Sequence, residues 1–192
     1  MKNLIILLLM FMPLKAYAPI DVITKDFKEK HETLVKQSNA EFELMLDSLG
    51  NVESGNPKWF PRKGFKSPYH VINACGAAGR WQLMPIARKD IGYKGTLVSF
   101  LNSEDVQKKC VIDLFKKNKM YLEYYIPNYK DYIGKTIGGV LITYSGIIAA
   151  AHLGGVGSVK YLLKNGHNAT DGHESVLSFM AKFANFKIGL VV

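Results

Sequence analysis

Acidic residues are scarce in this sequence of 192 residues, which holds 16 Asp and Glu against 25 Lys and Arg and carries a formal net charge of +9. An excess of positive charge favours an anionic partner, such as a cell-wall polymer, a phospholipid surface or a nucleic acid. Nucleic acid fits worst of the three, because the sequence lacks an arginine-rich stretch and any known nucleic-acid-binding module. We therefore expect no nucleic-acid partner.

Sequence patterns that bind metals or cofactors are also missing. There is no HExxH motif and no closely spaced pair of cysteines. His167, Asp171 and His173 carry side chains of the kind that bind metals, but no further ligand motif supports a site there. We expect neither a metal nor a cofactor.

Long apolar runs are missing except at the N-terminus. Lys2 precedes the almost wholly apolar residues 3–13 and then Ala16-Tyr17-Ala18, which is the pattern of a cleavable export signal. This run is too short to span a bilayer comfortably, and we expect no other segment to do so. Residues 1–18 are predicted to be a signal peptide and residues 19–192 an exported domain, periplasmic or associated with the cell envelope. Pro19, directly after the expected cut, leaves an uncleaved anchor as the alternative.

Cysteine occurs only twice, at Cys75 and Cys110. In an exported protein these two residues can form one disulfide, which would pin the loop before Gly76 to a later helix. Two buried free thiols are the alternative, because the sequence does not show how closely the residues approach.

Apolar periodicity predicts a mainly α-helical domain with weak strand signals throughout. Helices are expected over residues 24–50, 84–89, 103–125 (with Ser103 as the N-cap), 136–152, 158–165 and 174–184, with a glycine-rich turn at 152–157. Gly50 is expected to weaken the first helix just before Glu53. The predicted apolar stripes are Phe42, Met45, Leu46, Leu49 and Val52 in the first helix, and Val106, Cys110, Leu114, Met120 and Leu122 in the third.

Two motifs carry the chemistry: Glu53-Ser54-Gly55 and the run GAAGRWQLMP at residues 76–85. Glu53 follows the apolar face of its helix, so we expect a partly buried carboxyl whose neutral form is favoured by desolvation. Such a group can act as the general acid for a glycosidic oxygen. The alternative is an ordinary solvated Glu at a helix end. Residues 55–75 between the motifs read as a loop or short hairpin, whose aromatic side chains could line a groove.

A second carboxylate is absent from the loop after Glu53, since no Asp or Glu occurs before Asp90. Most glycosidases use two carboxylates, but substrate-assisted enzymes are exceptions. The sequence therefore favours a mechanism with one acidic residue. A distant carboxylate that folds into the site, allowing hydrolysis by water, stays open.

The order of the two motifs resembles the lytic transglycosylases of the goose-type lysozyme superfamily (the SLT domain). Their pattern is Glu-Ser, a spacer, and a run like GAxGLMQLMP followed by Thr-Ala. The matching residues are Glu53, Ser54, Gly76, Ala77, Gly79, Gln82, Leu83, Met84, Pro85 and Ala87. Arg80-Trp81 stands where Leu-Met is usual, a departure that conserves bulk, and Ile86 replaces Thr.

A second stretch of resemblance lies at Ile142–Leu162, where the family has an alanine-rich helix that ends in Tyr-Asn-Ala-Gly. Ala151-His152-Leu153-Gly154 occupies that place here. Tyr144 and His152, with Ile148 between them, are spaced by four and share one helix face. The sequence AHLGG at residues 151–155 is similar to that of transglycosylases of phage and secretion-type systems. The whole resemblance covers about residues 40–185.

The resemblance implies a lysozyme-like single domain that cleaves the β-1,4 bond between N-acetylmuramic acid and N-acetylglucosamine in peptidoglycan glycan strands. One Glu, here Glu53, would act first as acid and then as base, forming 1,6-anhydromuramic acid ends. The implied substrate-binding residues are Ser54, Trp81, Gln82, Tyr144 and His152, and a secretion or phage-type assembly is an implied partner. Structural roles stay open for Ser54 (helix end), Trp81 (core), Gln82 (capping amide) and His152 (core histidine). A lysozyme-type hydrolase and a non-catalytic cell-wall-binding or assembly protein are the alternative functions.

Overall fold

The protein is described by a computed structural model that covers residues 20–62, 64–170 and 172–188. The expected signal peptide with Pro19, and Asp171 of the possible metal cluster, lie outside these residues. Two compact units divide the chain, residues 1–37 and residues 38–192. The described part of the first unit is the helix from Ile20 to Gln37, and the second unit contains the motifs.

The described residues form a mainly helical structure, as predicted. The α-helices are α1 (Ile20–Glu53), α2 (Pro85–Asp90), α3 (Leu97–Leu101), α4 (Glu104–Tyr125), α5 (Tyr144–Asn165) and α6 (Val176–Lys182). A two-stranded antiparallel sheet pairs β1 (Thr136–Ile137) with β2 (Val140–Leu141). Three short 3₁₀ turns lie at Pro57–Trp59, Pro68–His70 and Tyr129–Tyr132.

Helix α1 was predicted to end at Gly50 but ends three residues later, at Glu53. Phe42, Met45 and the leucines that follow them are buried as predicted, but Val52 is 45% exposed and does not belong to the stripe. The helix continues through Gly50 to Glu53. A Cβ at Gly50 would lie 2.5 Å from Arg80 Nε, so the glycine provides space for a packed side chain and does not end the helix.

Helix α4 begins where its capping signal predicts. The Ser103 hydroxyl accepts a hydrogen bond from the Val106 amide (3.3 Å), and Glu104 and Asp105 follow in the first turn. Cys110, Leu114 and Leu122 are buried, but Met120 is 64% exposed and was wrongly placed in the stripe. Met120 lies two residues before Leu122, and residues two apart do not share a helix face.

Residues 136–143 are not helical, contrary to the prediction, because a hairpin forms there. Ile137 pairs with Val140 across Gly138-Gly139, whose φ angles are +54° and +82°. Two consecutive positive φ angles are those of a type I′ turn, and a two-glycine turn between β-branched residues is a hairpin signal. The helix begins only at Tyr144, after the Thr143 hydroxyl accepts from the Gly146 amide.

Helix α5 runs through the core. Its apolar residues 147–151 are almost fully buried, and Gly146 lies close to the Met180 carbonyl of α6. Gly155 has non-helical angles (φ 73°, ψ 164°), which divides the helix within the predicted turn at 152–157. By length and composition α5 could cross a membrane (mean hydropathy 1.3), yet 56% of that window is buried inside the protein, as in the core helix of a globular domain.

Neither alternative for the two cysteines is fully correct, since both thiols are free. Cys110 lies on the buried face of α4, and burial raises the pKa of its thiol. Cys75 is exposed in the turn where the Asn73 side chain accepts from its amide (2.9 Å). The two residues therefore occupy a loop surface and a core position, and no disulfide joins them.

Candidate functional site

Glu53 is the last residue of α1, and its side chain is 17% exposed. The partly buried carboxyl predicted from the apolar stripe is therefore present. Ser54 follows it and is buried, with its hydroxyl donating to the Gly50 carbonyl (3.0 Å). The Ser54 side chain therefore has the structural role at the helix end that the sequence left open.

His152 of α5 lies beside Glu53, with its Nε2 atom 3.8 Å from the Glu53 carboxylate oxygen. The same Nε2 is 3.0 Å from the Trp81 carbonyl. A carbonyl oxygen only accepts, so the proton of the neutral ring lies on Nε2. Nδ1 is buried and has no hydrogen-bond partner among the described residues.

The His152 imidazole is neutral at pH 7. Its side chain is only 4% exposed, and burial lowers the pKa of His152 to about 4, outweighing the opposite effect of the hydrogen bond to Trp81. The Phe115 ring packs edge-on against it, with centroids 6.0 Å apart. The approach of His152 to Glu53 is therefore a contact between a carboxyl and a neutral ring, and not an ion pair.

Arg80 is the main connection between the two motifs, although it is only 3% exposed. Its guanidinium donates to the Gly55 carbonyl (2.8 Å), the Asn51 side-chain oxygen (2.8 Å) and the Asp47 carbonyl (3.2 Å). Asp47 and Asn51 lie in the last two turns of α1, and Gly55 lies two residues beyond its end, where backbone carbonyls lack helical partners. Burial lowers the pKa of Arg80, but an arginine stays charged in proteins.

Gln107 of α4 binds the backbone amide of Arg80. Its side-chain oxygen accepts from the Arg80 amide (2.8 Å), and its Nε2 donates to the carbonyls of Tyr69 and Phe100 (both 3.0 Å). The fully buried amide thereby satisfies both its donor and its acceptor. The 76–85 run is fixed against α4 as well as α1.

Trp81 and Gln82 serve the local structure of the second motif. Trp81 is 4% exposed, and its indole N–H donates to the Leu46 carbonyl (2.8 Å). Its side chain is therefore part of the core. Gln82 has a positive φ of 44°, and its Nε2 donates to the Gly79 (2.9 Å) and Val71 (3.2 Å) carbonyls. These bonds offset the cost of a left-handed non-glycine residue. Within the described part of the chain, no residue donates a hydrogen bond to the Gln82 Oε1 acceptor.

Tyr144 lies on the same helix as His152 but two turns away, about 12 Å along the axis. Its ring is partly buried against Tyr129 (centroids 6.5 Å apart), and burial raises the pKa of the Tyr144 hydroxyl. Ile148, between Tyr144 and His152, is fully buried. The structure therefore brings Glu53, His152 and the Trp81 backbone together.

Arg62 is a site residue that the sequence analysis missed. Its guanidinium donates to the Ser54 carbonyl (2.7 Å) and lies over the rings of Phe60 (5.1 Å) and Trp59 (5.9 Å). Trp59 is 62% exposed. The cation–aromatic contacts hold an exposed indole near the end of α1. The predicted aromatic loop gave the only signal, because Arg62 itself reads as one of many scattered cations.

Metal-binding geometry is absent from the described residues, where no group of three His, Cys, Asp or Glu side chains converges. No protein-family model, no curated protein and no solved structure matches the chain.

Replacing Arg80 with Met is expected to lower the free energy of unfolding by about 3 kcal/mol, because buried acceptors at the end of α1 lose their donors. Urea unfolding followed by circular dichroism measures the change. Lys66→Met, on an exposed residue, is the control and should stay within about 0.5 kcal/mol of wild type. Equal stability of the two variants would contradict the structural role of Arg80.

His152 makes folding sensitive to acid. The unfolded chain binds a proton at the ordinary pKa of about 6.5, while the folded chain does so only at about 4. The unfolded state therefore binds more protons between these values, and stability falls by about 3 kcal/mol as the pH drops from 6.5 to 4. His152→Asn, which keeps a donor for the Trp81 carbonyl, should remove this part of the decline. Identical pH profiles of unfolding for wild type and variant would show that His152 does not titrate as stated.

Proposed function

We propose that the chain is a peptidoglycan lytic transglycosylase that cleaves the β-1,4 bond between N-acetylmuramic acid and N-acetylglucosamine. The supporting observation is the meeting of three distant sequence segments around one carboxyl. Glu53 of the first motif lies 3.8 Å from His152, which in turn lies 3.0 Å from the backbone carbonyl of Trp81 in the second motif. A lysozyme-like fold and export to the cell envelope are parts of the same proposal.

The proposed reaction uses Glu53 twice. As an acid it gives its proton to the glycosidic oxygen as the bond to the muramic acid C1 breaks. The substrate's N-acetyl group stabilises the cationic centre, in line with substrate-assisted glycosidases. The resulting carboxylate then takes the proton of the muramic acid 6-hydroxyl, whose oxygen closes the 1,6-anhydro ring.

Neutral His152 suits an acid of this kind. An imidazolium beside Glu53 would stabilise the ionised carboxylate, whereas a neutral ring does not. The hydrogen bond from Nε2 to the Trp81 carbonyl fixes the ring, so His152 shapes the wall beside Glu53 without supplying a charge. The low pKa of His152 keeps this arrangement unchanged through the neutral range.

In this proposal, the substrate binds to exposed surfaces and to hydrogen-bonding atoms that have no partner among the described residues. The exposed Trp59 indole, held by Arg62, offers a flat face for a sugar ring. Gln82 Oε1 is an acceptor for an N-acetyl N–H or a hydroxyl. Ser54 and Trp81 act in this proposal by fixing the backbone, since their side chains donate to protein carbonyls. The net positive charge fits an anionic cell-wall polymer.

Glu53→Gln is expected to reduce the release of soluble muropeptides from purified sacculi by at least about 10²–10⁴-fold, because the amide cannot donate or accept the proton as required. Binding to sacculi, measured by co-sedimentation, should remain. Glu43→Gln is the matched control, because Glu43 lies on the same helix in an exposed ion pair with Lys108. A folded Glu53→Gln variant with wild-type turnover would end the proposal.

Product chemistry separates transglycosylase from hydrolase. The tethered 6-hydroxyl has a much higher effective concentration than a diffusing water, so the products should carry 1,6-anhydromuramic acid ends. These ends are lighter by one water than reducing ends, and mass spectrometry of the digest detects the difference. Reducing ends alone would assign a lysozyme-type hydrolase. Binding to sacculi without any soluble product would assign a non-catalytic wall-binding protein.

A further inference from the structure

A cavity of about 430 Å³ lies between the last turns of α4 and the part of α5 after Gly155. Its polar and aromatic lining consists of Tyr121, Tyr125, Lys160, Tyr161, Lys164 and Asn165. The volume falls within the usual range for small-molecule sites. Glu53 and His152 do not line it, so the cavity is separate from the candidate catalytic site.

The cavity walls are built from tyrosine rings. Tyr121 is fixed because its hydroxyl donates to the Asp90 carboxylate (3.1 Å). Tyr125 packs against Tyr121, with ring centroids 6.0 Å apart, and is 49% exposed. Tyr161 across the cavity is 59% exposed. Accessible rings of this kind provide flat faces for a ligand that is itself a ring.

The charge of the cavity has one sign. Among the residues that the structure describes, Lys160 and Lys164 are the only ionised ones that line it, and no Asp or Glu does so. The Lys160 ammonium lies 6.0 Å from the centre of the Tyr125 ring, which keeps the cation beside an aromatic face. Two cations next to ring faces suit a ligand that carries an anionic group on a ring.

We propose that this cavity binds an acidic sugar, with the carboxylate at Lys160 and Lys164 and the ring against Tyr125 and Tyr161. The Asn165 amide and the hydroxyls of Tyr125 and Tyr161, all on lining residues, favour a sugar over an aromatic acid. A sugar has hydroxyls to pair with these groups, whereas an aromatic body would displace their water without replacing the hydrogen bonds. The proposal does not involve Glu53 and is independent of the proposed reaction.

Titration of the ¹⁵N-labelled full chain with D-glucuronate and, separately, with D-glucose tests the proposal. The two sugars differ by the oxidation of C6 to a carboxylate, so the comparison isolates the charge. Glucuronate is expected to shift the backbone amide resonances of residues 156–165, and glucose is expected to bind about tenfold more weakly. The Glu53→Gln variant should bind glucuronate like wild type, whether or not the protein cleaves peptidoglycan.

Variants locate the site. Lys160→Gln and Lys164→Gln should each weaken glucuronate binding about tenfold, while Tyr161→Leu should weaken both sugars. Lys116→Gln, on an exposed residue of α4 that does not line the cavity, is the matched control and should bind normally. The proposal is overturned if the amides of residues 156–165 do not shift. It is also overturned if glucose binds as well as glucuronate, or if Lys116→Gln has the same effect as Lys160→Gln.

Discussion

The buried guanidinium of Arg80 fixes the end of α1 against the run at residues 76–85. It carries a full charge into the core, and its described hydrogen bonds are to the Asp47 and Gly55 carbonyls and the Asn51 amide oxygen. An isolated buried charge is costly, so its hydrogen bonds must persist for the fold to be stable. Glu53 lies between these acceptors in the sequence, and its position therefore depends on Arg80. Gln107 extends the same constraint to α4.

Two arginines donate hydrogen bonds to carbonyls around the end of α1. Arg80 binds its carbonyls from inside the core, and Arg62 binds the Ser54 carbonyl from the loop side. Together they satisfy backbone acceptors that a helix end leaves unpaired. The result is a rigid exit from α1 on which a carboxyl, a neutral imidazole and an exposed indole have fixed places. Such support by a surrounding layer of hydrogen bonds is what a precise site needs.

Local signals predicted much of the fold, and long-range packing accounts for what they missed. The Ser103 cap and the start of α2 at Pro85 were predictable because short-range hydrogen bonds and proline geometry set them. The hairpin at 136–141 was also readable from its two glycines but was assigned to a helix. The resemblance treated Arg80 as a substitute of similar bulk for an apolar residue. Arginine is rarely buried, and only the folded chain shows three carbonyl or amide acceptors converging on it.

The non-helical residue Gly155 divides α5 into two segments, and the rotation of one segment about the helix axis does not fix the rotation of the other. In a continuous helix, adding one residue would turn everything beyond it by about 100°. Since Gly155 leaves the helical conformation, the segment after it, with its tyrosine and lysines, does not continue the helical phase of the segment that holds His152 beside Glu53. The direction in which the distal segment presents its side chains is therefore set separately from the geometry at the Glu53 carboxyl.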